Sequence, residues 1–184
     1  MNLAINEQLY LQLLEPKHSS ELYALMRKNA ANYITWFPWI ANMQSEEFIS
    51  NYIKDSKQRT AEGNEYAFAL FLGTKMIGRL GIYRINPVNK IGEIGYWIDQ
   101  DFEGKGYIKQ ACERVLQFAF NDLHLNRMEL KCATDNIRSK HTAQRLHFTY
   151  EGTLRQAEQH QRGAIDLLLF SLLKEEWDLG LLKK

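Results

Sequence analysis

One stretch decides the fold: residues 93 to 108 read Glu93-Ile-Gly-Tyr-Trp-Ile-Asp-Gln-Asp-Phe-Glu-Gly-Lys-Gly-Tyr-Ile108. Its first half is rich in Ile, Tyr and Trp, which is typical of a β-strand. Apolar side chains then recur at helical spacing from Ile108 to Ala119. Because Gly104 and Gly106 stand between the two patterns, we expect a strand that passes through a glycine turn into a helix.

This turn is a candidate anion site. Glycines allow successive backbone N–H groups to approach an anion, and the positive end of the helix dipole lies behind them. A ligand with a diphosphate is therefore expected, although a tight turn without a ligand fits the same residues. A Walker loop requires the pattern Gly-x4-Gly-Lys-Ser/Thr, which this stretch does not have. A dinucleotide fingerprint is excluded because Lys109 stands where its third glycine belongs.

Outside this stretch, helical and strand-like periodicities alternate along the chain. The predicted strands are Leu9–Leu13, Tyr66–Leu72, Met76–Tyr83, Ile91–Ile98, Met128–Cys132, Phe148–Arg155 and Ile165–Leu173. Helices are predicted to begin at Pro16 and Ser45 and to cover Gly104–Phe120 and Asn136–Leu146. The order β-α-α-β-β-β-α-β-α-β-β predicts a mixed α/β fold with helices on both faces of one sheet.

Length and composition favour a single domain over residues 1–184. The chain of 184 residues is 45% hydrophobic and 24% charged, which excludes a disordered chain. Its net charge of +1 removes the usual electrostatic motive for binding nucleic acid, and no run reaches the ~18 apolar residues of a membrane span. Cys112 and Cys132 have the pattern of small buried hydrophobes, so a reducing cytoplasm is expected.

The motifs together resemble the GNAT family of acetyl-coenzyme A-dependent N-acetyltransferases. Within it, the chain is similar to the Rim-type ribosomal-protein N-terminal acetyltransferases over about residues 3–178. Besides Glu93–Ile98 and the glycine turn, the likeness lies in the segments 85–90, 135–139 and 154–158, which read Ile-Asn-Pro-Val-Asn-Lys, Asp-Asn-Ile-Arg-Ser and Leu-Arg-Gln-Ala-Glu. It implies the GNAT fold, a mostly antiparallel mixed twisted sheet, with acetyl-coenzyme A as cosubstrate and no metal.

The resemblance also implies where the coenzyme binds. The turn Gly104, Lys105, Gly106, Tyr107 and Ile108 would wrap the pyrophosphate with backbone amides. The strand end at Trp97 and Ile98 would bind the pantetheine arm as an added strand, and Asn136 and Ser139 would lie near the sulfur.

Three positions depart from the family pattern. Asp101 replaces the Gln or Arg that many members place before the first glycine, and it cannot donate to phosphate when ionised. Ala143 stands where many members have a catalytic Tyr, and His147 stands where they have Gly. Because Ser139 lies one helical turn before Ala143 on the same face, it is the candidate proton donor to the departing thiolate; a surface or capping hydroxyl is the alternative.

A general base is also required, because the attacking amine must lose a proton. Glu158 is the candidate, since the segment 154–158 matches the Rim-type pattern in which a glutamate is thought to act through water. A solvated strand-end carboxylate is the alternative for Glu158. Glu93 is the second candidate base, and it fits equally well as an ion-pair partner of Arg79 or Arg84.

The sequence therefore predicts acetyl transfer to a primary amine by direct attack in a ternary complex, with the N-terminal α-amine of a ribosomal protein as substrate. A GNAT enzyme acting on a small amine, such as a polyamine or an aminoglycoside, shares every coenzyme motif. A catalytically inactive acetyl-coenzyme A-binding regulator is the other alternative. The substrate loops would be Trp36–Trp39 and Glu158–Arg162. The aromatic segment Tyr33–Trp39 either lines the peptide-substrate cleft or is an ordinary packed loop. The Rim-type likeness suggests a homodimer.

Overall fold

The computed structural model describes residues 1–37, 40, 45–160 and 163–180. Its strands are β1 Asn2–Ala4, β2 Leu9–Leu13, β3 Tyr66–Leu72, β4 Lys75–Asn86, β5 Ile91–Ile98, β6 Arg127–Ala133, β7 Thr149–His160 and β8 Gly163–Leu173. Its helices are α1 Ser19–Tyr33, α2 Glu46–Ala61, α3 Tyr107–Gln117, α4 Ile137–Arg145 and α5 Lys174–Asp178. The predicted element order is confirmed, with β1 and α5 as additions at the two ends.

All eight strands form one sheet in the order β1-β2-β3-β4-β5-β6-β8-β7. Every neighbouring pair is antiparallel except β5 and β6, which run parallel. The connection between β5 and β6 is the helix α3, as expected for a parallel pair. The mixed, mostly antiparallel sheet predicted from the sequence is confirmed.

Two apolar clusters cover the two faces of the sheet. On one face, α3 and α4 pack through residues such as Val115 and Leu146 onto inward side chains of the central strands. On the other face, α1 and α2 pack through residues such as Leu25 and Ile53. Helices therefore lie on both faces, as predicted, and none of those described is long and apolar enough to cross a membrane.

Local signals set several of the boundaries. Ser45 caps α2 by accepting a hydrogen bond from the Phe48 amide at 3.2 Å. Pro16 opens a short 3-10 turn rather than α1 itself, which begins at Ser19. The predicted helix through Phe120 changes at Phe118 into a π-helical turn that ends at Asp122.

Candidate active site

The parallel pair β5 and β6 separates soon after it forms. Ile91, Gly92 and Glu93 pair with Arg127, Met128 and Glu129, and no further pairing between these strands occurs among the described residues. Beyond Glu93, β5 keeps its partner β4 on one side, while its backbone edge toward β6 stays open. Because an open edge has unpaired N–H and C=O groups, an extended ligand can bind there as an added strand.

A cavity of about 1510 Å³ occupies this opening and reaches both faces of the sheet. Successive side chains of a strand point to opposite faces. Accordingly Tyr96 packs with the cluster of α3 and α4, while Trp97 packs with the cluster of α1 and α2. We call the half of the cavity next to α3 and α4 the α3 side, and the half next to α1 and α2 the α2 side.

The glycine turn opens into this cavity at the N-terminus of α3. Gly104 has φ +72° and Gly106, the N-cap residue, has φ +79°, a region that L side chains rarely adopt. A Cβ at Gly104 would meet nothing within 4 Å, and one at Gly106 only the Gln110 side chain at 4.0 Å. The turn therefore presents its backbone to open space in front of a helix N-terminus, which suits a diphosphate.

The polar side chains of the turn are engaged with the protein. Lys105 Nζ donates to the Asp101 carbonyl oxygen at 2.8 Å, and Lys105 does not line the cavity. The Asp101 carboxylate accepts from Lys28, which also bonds the buried Asp99 at 2.6 Å. Burial raises the pKa of Asp99, but the hydrogen bonds led by Lys28 outweigh it and lower the pKa below its ordinary value. The unusual Asp101 is thus a partner of Lys28.

The end of β5 is fixed by Tyr33, the first residue of the aromatic segment for which a place in the substrate cleft was weighed. The hydroxyl of Tyr33, in α1, lies between the Ile98 carbonyl oxygen and the Glu103 carboxylate, at 2.8 Å from the latter. Burial, with the Glu103 hydrogen bond and charge, raises the pKa of Tyr33, so its hydroxyl remains a donor. Tyr33 links the strand end to the segment that leads into the glycine turn.

Ser139 lies on the α3 side of the cavity, in the first turn of α4. Asn136 is the N-cap residue, and its side-chain oxygen accepts from the Ser139 amide at 3.1 Å. The Ser139 hydroxyl lies 3.1 Å from the hydroxyl of Tyr96 in β5. Burial raises the pKa of Tyr96, which keeps the phenol protonated. If Tyr96 donates to Ser139, the proton of Ser139 is free for a third group in the cavity.

Neither cysteine has the environment of a nucleophile. Cys112 and Cys132 are buried and free, and burial raises the pKa of both thiols. Because the thiolate is the reactive form, an acyl-cysteine route is disfavoured. Among the described residues there is also no group of three His, Cys, Asp or Glu placed to hold a metal.

Glu158 lines the same cavity from β7 and forms a pair with a buried histidine. Glu158 Oε2 lies 2.9 Å from His160 Nε2, and His160 Nδ1 lies 3.1 Å from the Thr35 carbonyl oxygen. The His160 side chain is 3% exposed and the Glu158 side chain 44%. The carboxylate is therefore held by a buried partner while it remains open to the cavity.

Glu93, the second candidate base, lies within a network of ion pairs. Its carboxylate accepts from Arg84 at 2.8 Å and from Lys131 at 2.9 Å. The pairing with Arg84 that the sequence analysis weighed is confirmed, whereas Arg79 bonds Tyr52 instead. Arg84 and Lys131 occupy the lone pairs of this carboxylate, so Glu93 is the weaker candidate.

The structure thus brings the predicted site residues to one cavity, with Lys105 as the exception. Trp97, Ile98, Gly104, Gly106, Tyr107, Ile108, Asn136, Ser139 and Glu158 all line it. Trp36 and Phe37 of the predicted substrate loop line it as well. The other parts of the two predicted loops at Pro38, Trp39, Gln161 and Arg162 lie outside the described residues.

Two contributors were not predicted as catalytic or positioning residues: Tyr96 and His160. Tyr96 reads as an ordinary aromatic position of a strand. His160 lies within the predicted substrate loop Glu158–Arg162, but no role was predicted for its ring. Residues two apart in a strand lie on the same face, so the spacing of Glu158 and His160 was the available signal of a contact. However, β7 contains two bulges, and these decide whether the two side chains meet.

Comparison with known proteins agrees with this geometry. Residues 8–149 match the family model described as an acetyltransferase (GNAT) domain. The putative ribosomal N-acetyltransferase YdaF of Bacillus subtilis (strain 168) is 33% identical over 175 residues, which cover 95% of this chain and 96% of that protein. The ribosomal-protein-serine acetyltransferase of Escherichia coli (strain K12) is 33% identical over 154 residues, which cover 84% of this chain and 86% of that protein.

A solved structure shares nearly the whole fold. It is described as RimL, a ribosomal L7/L12 alpha-N-protein acetyltransferase in complex with coenzyme A. It has a TM-score of 0.92 and 26% identity, and the match covers 96% of this chain and 99% of that one.

An open strand edge beside a glycine turn at a helix N-terminus defines an acyl-coenzyme A transferase site. The chain belongs to the GNAT family. It is an acetyl-coenzyme A-dependent N-acetyltransferase.

Proposed function

We propose that this enzyme acetylates the N-terminal α-amine of a ribosomal protein. The observation that carries the proposal is the cavity through the sheet, with Ser139 on its α3 side and Glu158 at the same opening. The names of the two relatives and of the solved structure support a ribosomal-protein substrate for this chain.

The chain's own backbone would hold the coenzyme. The amides from Gly104 to Ile108 would bind the pyrophosphate, with Lys105 contributing its backbone alone. The open edge of β5 at Trp97 and Ile98 would bind the pantetheine arm. Acetyl-coenzyme A supplies the thioester. Asn136 orders the first turn of α4, and Ser139 in that turn would then face the sulfur.

Two side chains would move the protons. Glu158 accepts the proton that the substrate amine loses, directly or through water, while the amine nitrogen forms its bond to the acetyl carbon. Ser139 gives its proton to the sulfur as the carbon–sulfur bond breaks, and Tyr96 stabilises the serine oxygen. The products are the acetylated amine and the free thiol, and no acyl-enzyme is formed. The proton held by Glu158 then returns through water to the Ser139 oxygen, which restores both side chains for the next cycle.

His160 would position Glu158. Both ring nitrogens face oxygen atoms, those of Glu158 and Thr35. A neutral imidazole has only one N–H. When Nδ1 donates it to the Thr35 carbonyl, Nε2 has a lone pair that can accept a proton from Glu158. A proton taken up by the carboxylate therefore has a second position on His160.

Two alternatives for the function are distinguished by the residues around the cavity. An inactive regulator needs neither a proton donor nor a base, yet Ser139 and Glu158 both line this cavity. A polyamine carries several positive charges, whereas Arg79, which forms no ion pair within the described part of the chain, lines the α2 side. Both features favour a catalytic enzyme with a peptide substrate.

The proposal also covers the extent of the domain, the oligomeric state and the cellular location of the enzyme. We propose that residues 1–184 form one acetyltransferase domain and that it acts as a homodimer. We place it in the cytoplasm, where ribosomal proteins are synthesised. Sedimentation of the purified chain tests the dimer.

The test of the proton acceptor is Glu158→Gln, which keeps the size of the side chain but cannot accept a proton. We expect kcat to fall by roughly 100-fold or more at neutral pH, with a smaller change in the KM of both substrates. The acidic limb of the pH–rate profile, measured by thiol release, should disappear. Glu175→Gln, an exposed position on α5, is the control. Parallel pH profiles of equal height would assign the role to Glu93 or to ordered water.

A further inference from the structure

The α2 side of the cavity contains a buried arginine without an acidic partner. Arg79, in β4, is 7% exposed, and its guanidinium lies 4.5 Å from the ring centroid of Tyr52 and 5.5 Å from that of Tyr83. It donates to the Tyr52 hydroxyl, but its Nε has no hydrogen-bond partner. No carboxylate within the described part of the chain forms an ion pair with it.

The nearby acid Glu65 is already occupied. Its carboxylate accepts from Arg59 at 2.7 Å and from Ser56 at 2.6 Å. Glu93, on the neighbouring strand, is bound by Arg84 and Lys131. The charge of Arg79 is therefore left for a group that the protein does not supply, because a buried guanidinium without a counter-charge is costly.

A second unpartnered donor lies beside Arg79. Trp97 is the residue directly opposite Arg79 in the antiparallel pair of β4 and β5, so the two side chains share one face of the sheet. Trp97 is 7% exposed, and its Nε1 also has no hydrogen-bond partner. Since nearly all buried polar groups in proteins are paired, two unpaired donors side by side indicate a ligand site.

Both residues line the cavity into which Glu158 also opens. A guanidinium N–H edge and an indole N–H are donors only, and the planar guanidinium matches a carboxylate in geometry and charge. From this pair, and resting on the proposed function, we infer that Arg79 and Trp97 form a subsite for a carboxylate of the amine substrate. The preferred substrate is a peptide with an acidic side chain within the first few residues of its free N-terminus.

The experiment compares matched peptides that begin with Ser and differ only in Asp or Asn at the second, third or fourth residue. The wild-type enzyme should prefer one of the Asp peptides over its Asn counterpart by roughly 10- to 100-fold in kcat/KM, as expected for a hydrogen-bonded charge pair. Arg79→Met should reduce this ratio to near one and leave the KM for acetyl-coenzyme A unchanged. Trp97→Phe should reduce it less.

Arg27→Met is the matched control. Arg27 also lies over a tyrosine ring, that of Tyr23 at 5.9 Å, but it is exposed and does not line the cavity. The control should keep the full preference. If Arg79→Met does not fold, Arg79→Lys and Trp97→Phe carry the test, and each should lower the ratio.

Equal rates for every Asp and Asn pair in the wild type would overturn the subsite while leaving peptide acetylation intact. A preference that survives Arg79→Met in the folded enzyme would overturn it as well. Absence of acetylation of every peptide, with turnover of spermidine, would instead overturn the proposed function and with it this inference.

Discussion

At the scale of single residues, we propose that the pair of hydroxyls at Tyr96 and Ser139 replaces the phenol that Ala143 lacks. The Tyr96 phenol comes from β5 instead of from α4, and it reaches the Ser139 oxygen at 3.1 Å. Ala143 is fully buried against the cluster of α3 and α4, so a Tyr at that position would need space that the packed core does not offer. The proposed proton donor and its supporting phenol thus belong to two different elements, α4 and β5.

This pair makes a prediction for kcat. Ser139→Ala should lower kcat by roughly 100-fold or more, with little change in acetyl-coenzyme A affinity, because the donor acts as the thiolate departs. Tyr96→Phe should lower kcat less, since Ser139 remains. The double variant should be no slower than Ser139→Ala, because Tyr96 acts through the serine. Additive losses would show that Tyr96 has a separate role.

At the scale of elements, the glycine turn before α3 is expected to bind phosphate through its backbone. Gly106→Ala places a Cβ in the cradle and strains a residue with φ +79°. Coenzyme A affinity, measured by calorimetry, should fall by roughly 10-fold or more, as for the loss of a charge-assisted hydrogen bond. Gly73→Ala is the matched control, because Gly73 in the β3–β4 turn has φ +58° and open space around it. Equal affinity losses in both variants would attribute the effect to strain alone.

The sequence predicted the elements better than their contacts. Local signals such as the Ser45 cap and the helical periodicity of α3 appear as expected. His147, which stands where many family members have Gly, has φ +60°. The separation of β5 from β6 and the bulges of β7 depend on pairing between distant segments. Periodicity does not encode them, so the Glu158–His160 pair and the role of Tyr96 emerged only from the structure.

At the scale of the whole molecule, an ion-pair network ties β6 to the last two strands of the sheet. Arg127 of β6 bonds both Glu129 and Glu151, and Ser171 of β8 donates to Glu151 at 2.6 Å. Hydrogen bonds from Arg127 and Ser171 lower the pKa of Glu151 from 4.5 to about 2. The stability from Glu151 is therefore fully present above about pH 4.5 and lost as the pH falls toward 2.

Glu151→Gln tests this linkage. The variant should be less stable than the wild type at pH 6. The difference should shrink as the pH falls toward 2.5, because the Glu151 carboxylate of the unfolded chain takes up a proton below about pH 4.5 while that of the folded chain does not. Urea unfolding midpoints across this range measure it. Glu7→Gln, at an exposed position, should show no comparable change. A constant difference at every pH would assign the effect of Glu151 to packing.

The central claim is acetyl transfer to the N-terminal amine of a ribosomal protein, and mass spectrometry of ribosomal proteins tests it most directly. Proteins from a strain that lacks this enzyme are compared with those from its parent and from the deletion strain that expresses Glu158→Gln. The account predicts that one or two N-termini lose the mass of an acetyl group on deletion and do not regain it with Glu158→Gln. Identical N-terminal masses in all three strains would contradict the account.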